Sequence, residues 1–259
     1  MNAAEMMLLI SRTTQETIDS VATGGSTSTL VDSLLKRKAE YFAEGTLWIT
    51  RGSPVTTVVK TITQYGNETA TFTPAEATTI AAGNQYSIAG KKFTRMDLLQ
   101  AVNQALSSFL YPVYDISLST VQGQEDYTLP AGVADCRVVE IAQNAAAPYG
   151  YLRDKNWKEV AGILTFIGGS QSSGRKIRIL YPGTPAAVTE TSTIEASINT
   201  ERLKWAAIEH LWRRRLQMIE NDAPTEKELM NEAKTNLEIA KRQAKAPYIP
   251  PRELMMGYA

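Results

Sequence analysis

Histidine and cysteine are almost missing from this 259-residue chain, which holds one of each, His210 and Cys136. A single cysteine permits no internal disulfide and no cysteine-based metal cluster, and it leaves a reducing compartment slightly favoured. A Ser-His-Asp or Cys-His pair would have to use His210, which stands between Glu209 and Leu211 in a helical pattern, just ahead of Arg213, Arg214 and Arg215. That setting suits a surface or interface histidine. No Gly-x-Ser-x-Gly, Gly-x-x-x-x-Gly-Lys-Ser/Thr, Gly-x-Gly-x-x-Gly or His-Glu-x-x-His occurs, and Gly168-Gly-Ser170 reads as a turn. Net charge is missing too, because 27 Lys and Arg balance 27 Asp and Glu. That balance argues against a protein that wraps nucleic acid, though not against a local basic patch. The run Met6-Met7-Leu8-Leu9-Ile10 is too short for a signal-peptide core and far below the roughly 20 residues of a membrane span. The expectation is a chain made and assembled without export, with no catalytic role, cofactor, metal or membrane partner.

The chain does carry clear changes of hydrophobic period. Residues 2 to about 22 repeat at three and four through Ala3, Met6, Met7, Ile10, Thr14, Thr17, Ile18 and Val21, which predicts a helix ended by Gly24-Gly25. Its many threonines weaken that pattern. From 26 to 92 the period shortens. Strands are expected at Thr46–Thr50, Val55–Gln64, Thr69–Thr73 and Gln85–Ala89, separated by turn residues, as in a small β-barrel-like module or compact sandwich. Thr94 with Asp97 then forms an N-terminal capping box, and a helix follows with Met96, Leu99, Val102, Leu106, Phe109 and Leu110 on its buried face, stopped by Pro112. Further strands are expected at Ile116–Val121, Asp126–Leu129, Arg137–Ala142, Ile163–Ile167 and Lys176–Tyr181. The polar stretches Ser170–Gly174 and Gly183–Thr193 read as mobile surface connections, the second able to reach a partner.

Two charged amphipathic helices close this part of the chain. The first runs from Asn199 to Ile219 with Leu203, Ile208, Leu211, Trp212, Leu216 and Ile219 on one stripe; the second runs from Thr225 to Lys245 with Leu229, Met230, Ala233, Leu237 and Ala240. Thr225 with Glu228 makes a capping box, and Glu238 with Arg242 an i,i+4 pair. Trp205 and Trp212 are seven apart, hence on one face, which suits an inter-helix or inter-subunit seam. Arg213, Arg214 and Arg215 could meet phosphates, an acidic partner or only solvent. Consecutive helical residues lie about 100° apart, so the three cannot all face one ligand. The fold class is therefore α+β: an N-terminal helical segment (1–25), a β-rich module (26–92), a domain of one long helix, antiparallel strands and a helical hairpin (93–245), and an extended tail (246–259). In that tail Pro247, Pro250 and Pro251 forbid a helix, yet Tyr248, Ile249, Leu254, Met255, Met256 and Tyr258 are apolar. Such a segment is expected to dock on a partner or neighbouring subunit and to order only on assembly.

Several stretches resemble structural proteins of tailed bacteriophages. Thr29-Leu-Val-Asp-Ser33, Tyr41-Phe-Ala-Glu-Gly-Thr-Leu-Trp-Ile49, Val59-Lys-Thr-Ile-Thr-Gln-Tyr65, Ala70-Thr-Phe-Thr-Pro74 and Ala82-Gly-Asn-Gln-Tyr-Ser-Ile88 resemble a small β-module of those proteins. The helix from Phe93 to Leu110, Asp126-Tyr-Thr-Leu-Pro130, Val138-Val-Glu-Ile141, Trp157 before Leu164-Thr-Phe166, Lys176-Ile-Arg-Ile-Leu-Tyr181 and the final helical pair resemble phage head-to-tail adaptors. The resemblance implies a virion neck protein, assembled in the host cytoplasm into a ring, commonly of twelve copies, below the portal protein. It implies helices around the DNA channel with transient, non-specific contact to the genome, a C-terminus that climbs onto the portal, and tail or nozzle proteins beneath. Its motifs are patterns of strand and turn, none as specific as a catalytic signature. A tail-completion or tube-terminator protein, and a polysaccharide hydrolase of the virion, are the competing readings; no carboxylate pair stands out for the last.

Overall fold

The computed structural model describes residues 1–51, 56–147, 149–168, 172–218 and 224–243. It is a mixed α+β protein whose described sheets are antiparallel throughout. The chain divides into two units: residues 1–108 together with the described part of 186–245, and residues 109–185. The helices on either side of the middle segment thus group with the N-terminal sheet, a division that differs from the boundaries at 25, 92 and 245 suggested by sequence. Its physical basis is burial between segments distant in the chain, which local patterns do not register.

The first unit opens with α1 (Ala3–Thr14), capped by Asn2. The Asn2 side chain accepts from the Glu5 N–H at 2.8 Å, and Glu5 accepts from the Asn2 N–H at 3.0 Å, so two orphan donors are satisfied reciprocally. The helix expected to reach residue 22 ends at Thr14. Thr13 and Thr14 turn their hydroxyls back to the Leu9 and Ile10 carbonyls, and Gln15 leaves the helix in an extended conformation. The β-branched residues that follow form β1 (Thr17–Val21), drawn out of helix by pairing along the last strand of the sheet.

After β1 come β2 (Gly24–Gly25), β3 (Thr29–Val31), β4 (Thr46–Arg51), β5 (Thr56–Gly66), β6 (Thr69–Thr73) and β7 (Gln85–Ala89). They form one seven-stranded sheet in the order β1-β7-β4-β5-β6-β3-β2. Among the described residues no ladder closes this sheet into a barrel, although its two outermost strands are joined in sequence by Ala22 and Thr23 alone. One face carries Leu47, Ile49, Ile62, Phe72 and Ile88, roofed by Leu35, Phe42 and Ile80 from the connecting loops. Trp48 and Val59 are cross-strand partners on the opposite face and are also buried. Lys60 is buried as well, its ammonium 2.7 Å from Glu76. A Cβ placed on Gly45, at the entry to β4, would sit 2.1 Å from the Ala89 carbonyl oxygen and 2.8 Å from that of Phe42. Gly45→Ala is therefore expected to cost at least about 2 kcal/mol in urea unfolding, because backbone must move to admit the methyl.

Three more helices complete this unit: α2 (Arg95–Ser107), α3 (Thr200–Met218) and α4 (Pro224–Gln243). The Thr94–Asp97 capping box forms as expected. The buried face of α2, however, is Leu98, Ala101, Val102, Ala105 and Leu106, while Met96 and Leu110 are exposed and Leu99 is half-buried. The stripe is rotated because α2 packs against α1 and α3 at once. Pro112 does not stop the helix, which ends at Ser107. The segment expected to be a mobile connection is pinned from Val188 onwards. Asn103 exchanges two hydrogen bonds with the backbone of Val188, Arg95 grips Glu190 through Nε and Nη2 at 2.5 and 2.8 Å, and the Ala3 and Ala4 N–H groups donate to the Ser192 and Glu190 carbonyls. This strap satisfies donors that the first turn of α1 would otherwise leave open.

The second unit contains β8 (Tyr111–Asp115), β9 (Asp126–Thr128), β10 (Val138–Ala142), β11 (Tyr151–Asp154), β12 (Trp157–Val160), β13 (Ile163–Phe166) and β14 (Ile177–Gly183). Four strands form a sheet in the order β11-β10-β14-β8, and three form a second in the order β12-β13-β9. Val139, Ile141, Ile177 and Ile179 from the first share a core with Tyr127, Trp157, Leu164 and Phe166 from the second. The strand expected at Ile116–Val121 is reduced to one bridge between Ser119 and Lys176, and pairing falls instead on Tyr111–Asp115. Pro112 lies opposite Pro182 there, at a sheet edge where a missing N–H costs least.

Candidate interaction surface

The α3–α4 pair carries most of the described residues singled out by sequence. Helix α3 buries Leu203, Ala206, Ala207, Ile208, Leu211 and Trp212, leaving Leu216 half-buried. Helix α4 buries only Ala233, Leu237 and Ala240, with Leu229 and Met230 half-buried, so most of its surface is presented outward. It begins at Pro224, which places Thr225 inside the first turn and not at the cap; proline is pre-organised for that first position. Glu238 pairs with Lys241 at 2.7 Å, not with Arg242, and the Lys241 hydrogen bond holds its carboxyl below the usual range.

Trp212 is buried on α3 against the residues that lead into α2. Its ring meets Phe93 edge to face at 5.1 Å, and the Lys92 ammonium lies 4.5 Å from the ring centroid. Burial, then the nearby Arg215, lowers the Lys92 pKa. Trp205 is half-buried, with the Lys204 ammonium 4.9 Å from its ring. The shared face read from their spacing is thus unequally used.

The three consecutive arginines diverge. Arg213 is the most exposed and pairs with Glu209 one turn back on α3 at 2.5 Å. Arg214 reaches across to Gln100 and Asp97 of α2, 3.3 Å from the latter. Arg215 lies over the Phe93 ring at 5.9 Å, within 3.5 Å of the Lys92 carbonyl and 3.9 Å of Glu226. Arg214 and Arg215 stitch α3 to its neighbours while Arg213 braces its own helix, and exposed pairs of this kind contribute only about 0–1 kcal/mol each. His210 is half-buried; burial lowers its pKa, and Arg213 acts in the same direction against Glu209. Tyr248, Ile249, Pro250, Pro251, Leu254, Met255, Met256 and Tyr258 lie outside the described residues, as does Ile219.

Two features escaped the sequence pattern. Asp32 is fully buried and accepts from Ser20 Oγ and Tyr86 Oη, both at 2.6 Å, and from the Leu34 N–H at 2.8 Å. Burial pushes its pKa up, but the hydrogen bonds from Ser20, Tyr86 and the Leu34 and Leu35 N–H groups outweigh burial and lower it. Tyr86 is driven strongly upward by burial and by its bond to Asp32. Secondly, a groove of about 310 Å³ lies between α1 and the sheet, but its charges are mutually satisfied. Asp19 in that groove accepts from Arg12 at 2.8 Å and from Ser87 at 2.5 Å. Nothing in the spacing of Asp19, Asp32, Tyr86 and Ser87 announces these meetings, which are made by strand pairing.

Among the described residues, no group of three or more His, Cys, Asp or Glu is placed to hold a metal ion, and no helix is long and apolar enough to cross a membrane. No protein-family model, curated protein or solved structure matches the chain.

Proposed function

We propose that the protein is a structural subunit of a tailed-phage virion: a head-to-tail adaptor that forms a ring between the portal and the tail and surrounds the DNA channel. The observation that carries this reading is the pairing of a charged helical hairpin, whose second helix presents most of its surface outward, with a proline-broken apolar segment directly after it in the sequence. On this reading residues 93–245 correspond in sequence to the adaptor, although α2, α3 and α4 fold in one unit with the seven-stranded sheet. A neutral chain can line a conduit without gripping the DNA that must pass through it. Head-to-tail contacts that close into a ring are supplied when an extended apolar segment is captured by a groove on another chain.

Deletion of residues 246–259 tests the assignment. The truncated subunit is expected to fold with unchanged helical signal, while capsids made with it fill with DNA yet lack tails or leak their contents. Normal numbers of tailed, infectious particles from the truncated subunit, counted by negative-stain microscopy and plating, would overturn it.

A further inference from the structure

In the unit that spans 109–185, a groove of about 360 Å³ opens beside the edge strand β11. Arg153, Lys155 and Arg175 line it with the amides Gln143 and Asn156, against the single carboxylate of Asp154. That carboxylate is already engaged, accepting from the Asn156 N–H at 2.7 Å. Two arginines of the same unit, by contrast, have partners: Arg178 pairs with Glu140 at 2.5 Å and stacks 4.0 Å from the Tyr151 ring, and Arg137 pairs with Asp135 at 2.5 Å. Lys155 and Arg175 thus bring to the groove two positive charges that carry no ion pair among the described residues.

Its walls are held in place. Thr120, 1% exposed, accepts from the Arg175 N–H at 2.9 Å, donates its own N–H to the Arg175 carbonyl at 2.8 Å and donates its hydroxyl to the Ser172 carbonyl at 2.6 Å. Arg153 is fixed by the β10–β11 register opposite Glu140. The lining of the groove is thus drawn from three separated segments, near 143, 153–156 and 175. A tetrahedral oxyanion can offer oxygens in three directions at once, which a planar carboxylate cannot.

We propose that this groove is a phosphate-binding site, taking the phosphate of a nucleic-acid backbone or a free phosphate ion. It stands apart from the head-to-tail reading and does not depend on it. The test is NMR titration of the full-length protein with inorganic phosphate, with a short oligothymidylate and with polyglutamate, following the Asn156 amide and the Arg175 Nε–H. Phosphate and the oligonucleotide are expected to shift both signals and polyglutamate to leave them in place. Lys155→Gln with Arg175→Gln should weaken binding at least tenfold at an unchanged melting temperature. Tighter binding of the oligonucleotide, with a salt slope that falls by up to about 1.4 in the double variant, assigns the site to a nucleic-acid backbone. Equal or weaker binding of the oligonucleotide assigns it to the free ion. Absence of shifts with both phosphate probes, or matching shifts with polyglutamate, would overturn the proposal; so would undiminished binding by the double variant.

Discussion

Asp32→Ala is expected to remove about 3–5 kcal/mol of unfolding free energy at pH 7, since hydrogen bonds to a charged acceptor are worth about 1.5–3 kcal/mol each and their buried donors would be stranded. The donors are Ser20 on β1, Tyr86 on β7 and the Leu34 N–H, so one carboxylate ties the loop after β3 to two strands of the seven-stranded sheet. The pH dependence has a definite sign. The folded pKa lies below that of the unfolded chain, about 3.9 for an aspartate, so the charged form binds the fold. Its contribution is complete above the unfolded value and disappears as pH falls through the folded one. Urea unfolding of wild type and variant should accordingly differ by a constant amount from neutrality to about pH 5, and the difference should narrow at lower pH. Equal stabilities at pH 7, or a gap that widens in acid, would refute the assignment of Asp32 as an ionised anchor. Asp32→Asn, which keeps an acceptor without the charge, should fall between the two.

Trp212→Ala is expected to be comparably severe, about 3–5 kcal/mol, because a large ring is removed from a site that cannot collapse around the loss. Trp212 is 3% exposed, holds Phe93 edge to face and supports the ammonium of Lys92. A lower urea midpoint with unchanged slope, measured on the unassembled subunit, is the expected result. If Trp212 instead served a seam between subunits, the isolated protein would unfold normally and only assembly would suffer. Trp205→Ala, at a half-buried position on the same helix, should cost less than half as much.

Much of the secondary structure was legible in local pattern. Thr69–Thr73 and Gln85–Ala89 are strands with those same limits, and α3 and α4 fall within a residue or two of the periodic stretches that announce them. The Thr94–Asp97 capping box was equally readable, because both its partners sit within one helical turn. Where reading failed, a distant segment decided. Thr17–Val21 shows apolar residues at helical spacing, yet pairing with β7 offers its β-branched residues a ladder that a continued α1 would forgo. The residues from Val188 to Ser192 look like a solvated connection, but Asn103, Arg95 and the start of α1 give their backbone and Glu190 partners that water would otherwise supply.

The candidate sites divide in the same way. Composition, periodicity and caps depend on neighbours in the chain, and they determined the α+β class and the charged character of the final helices. Tertiary structure alone decided which distant groups meet: Arg214 reaches Asp97 of α2 and Arg215 reaches Glu226 of α4, while Arg213 stays with Glu209 on its own helix, and Arg153, Lys155 and Arg175 line one groove from two separated segments. The reason is geometric. A helix or strand fixes the direction of a side chain relative to its own axis, but the partner at the far end belongs to an element whose position is set by burial across the whole unit.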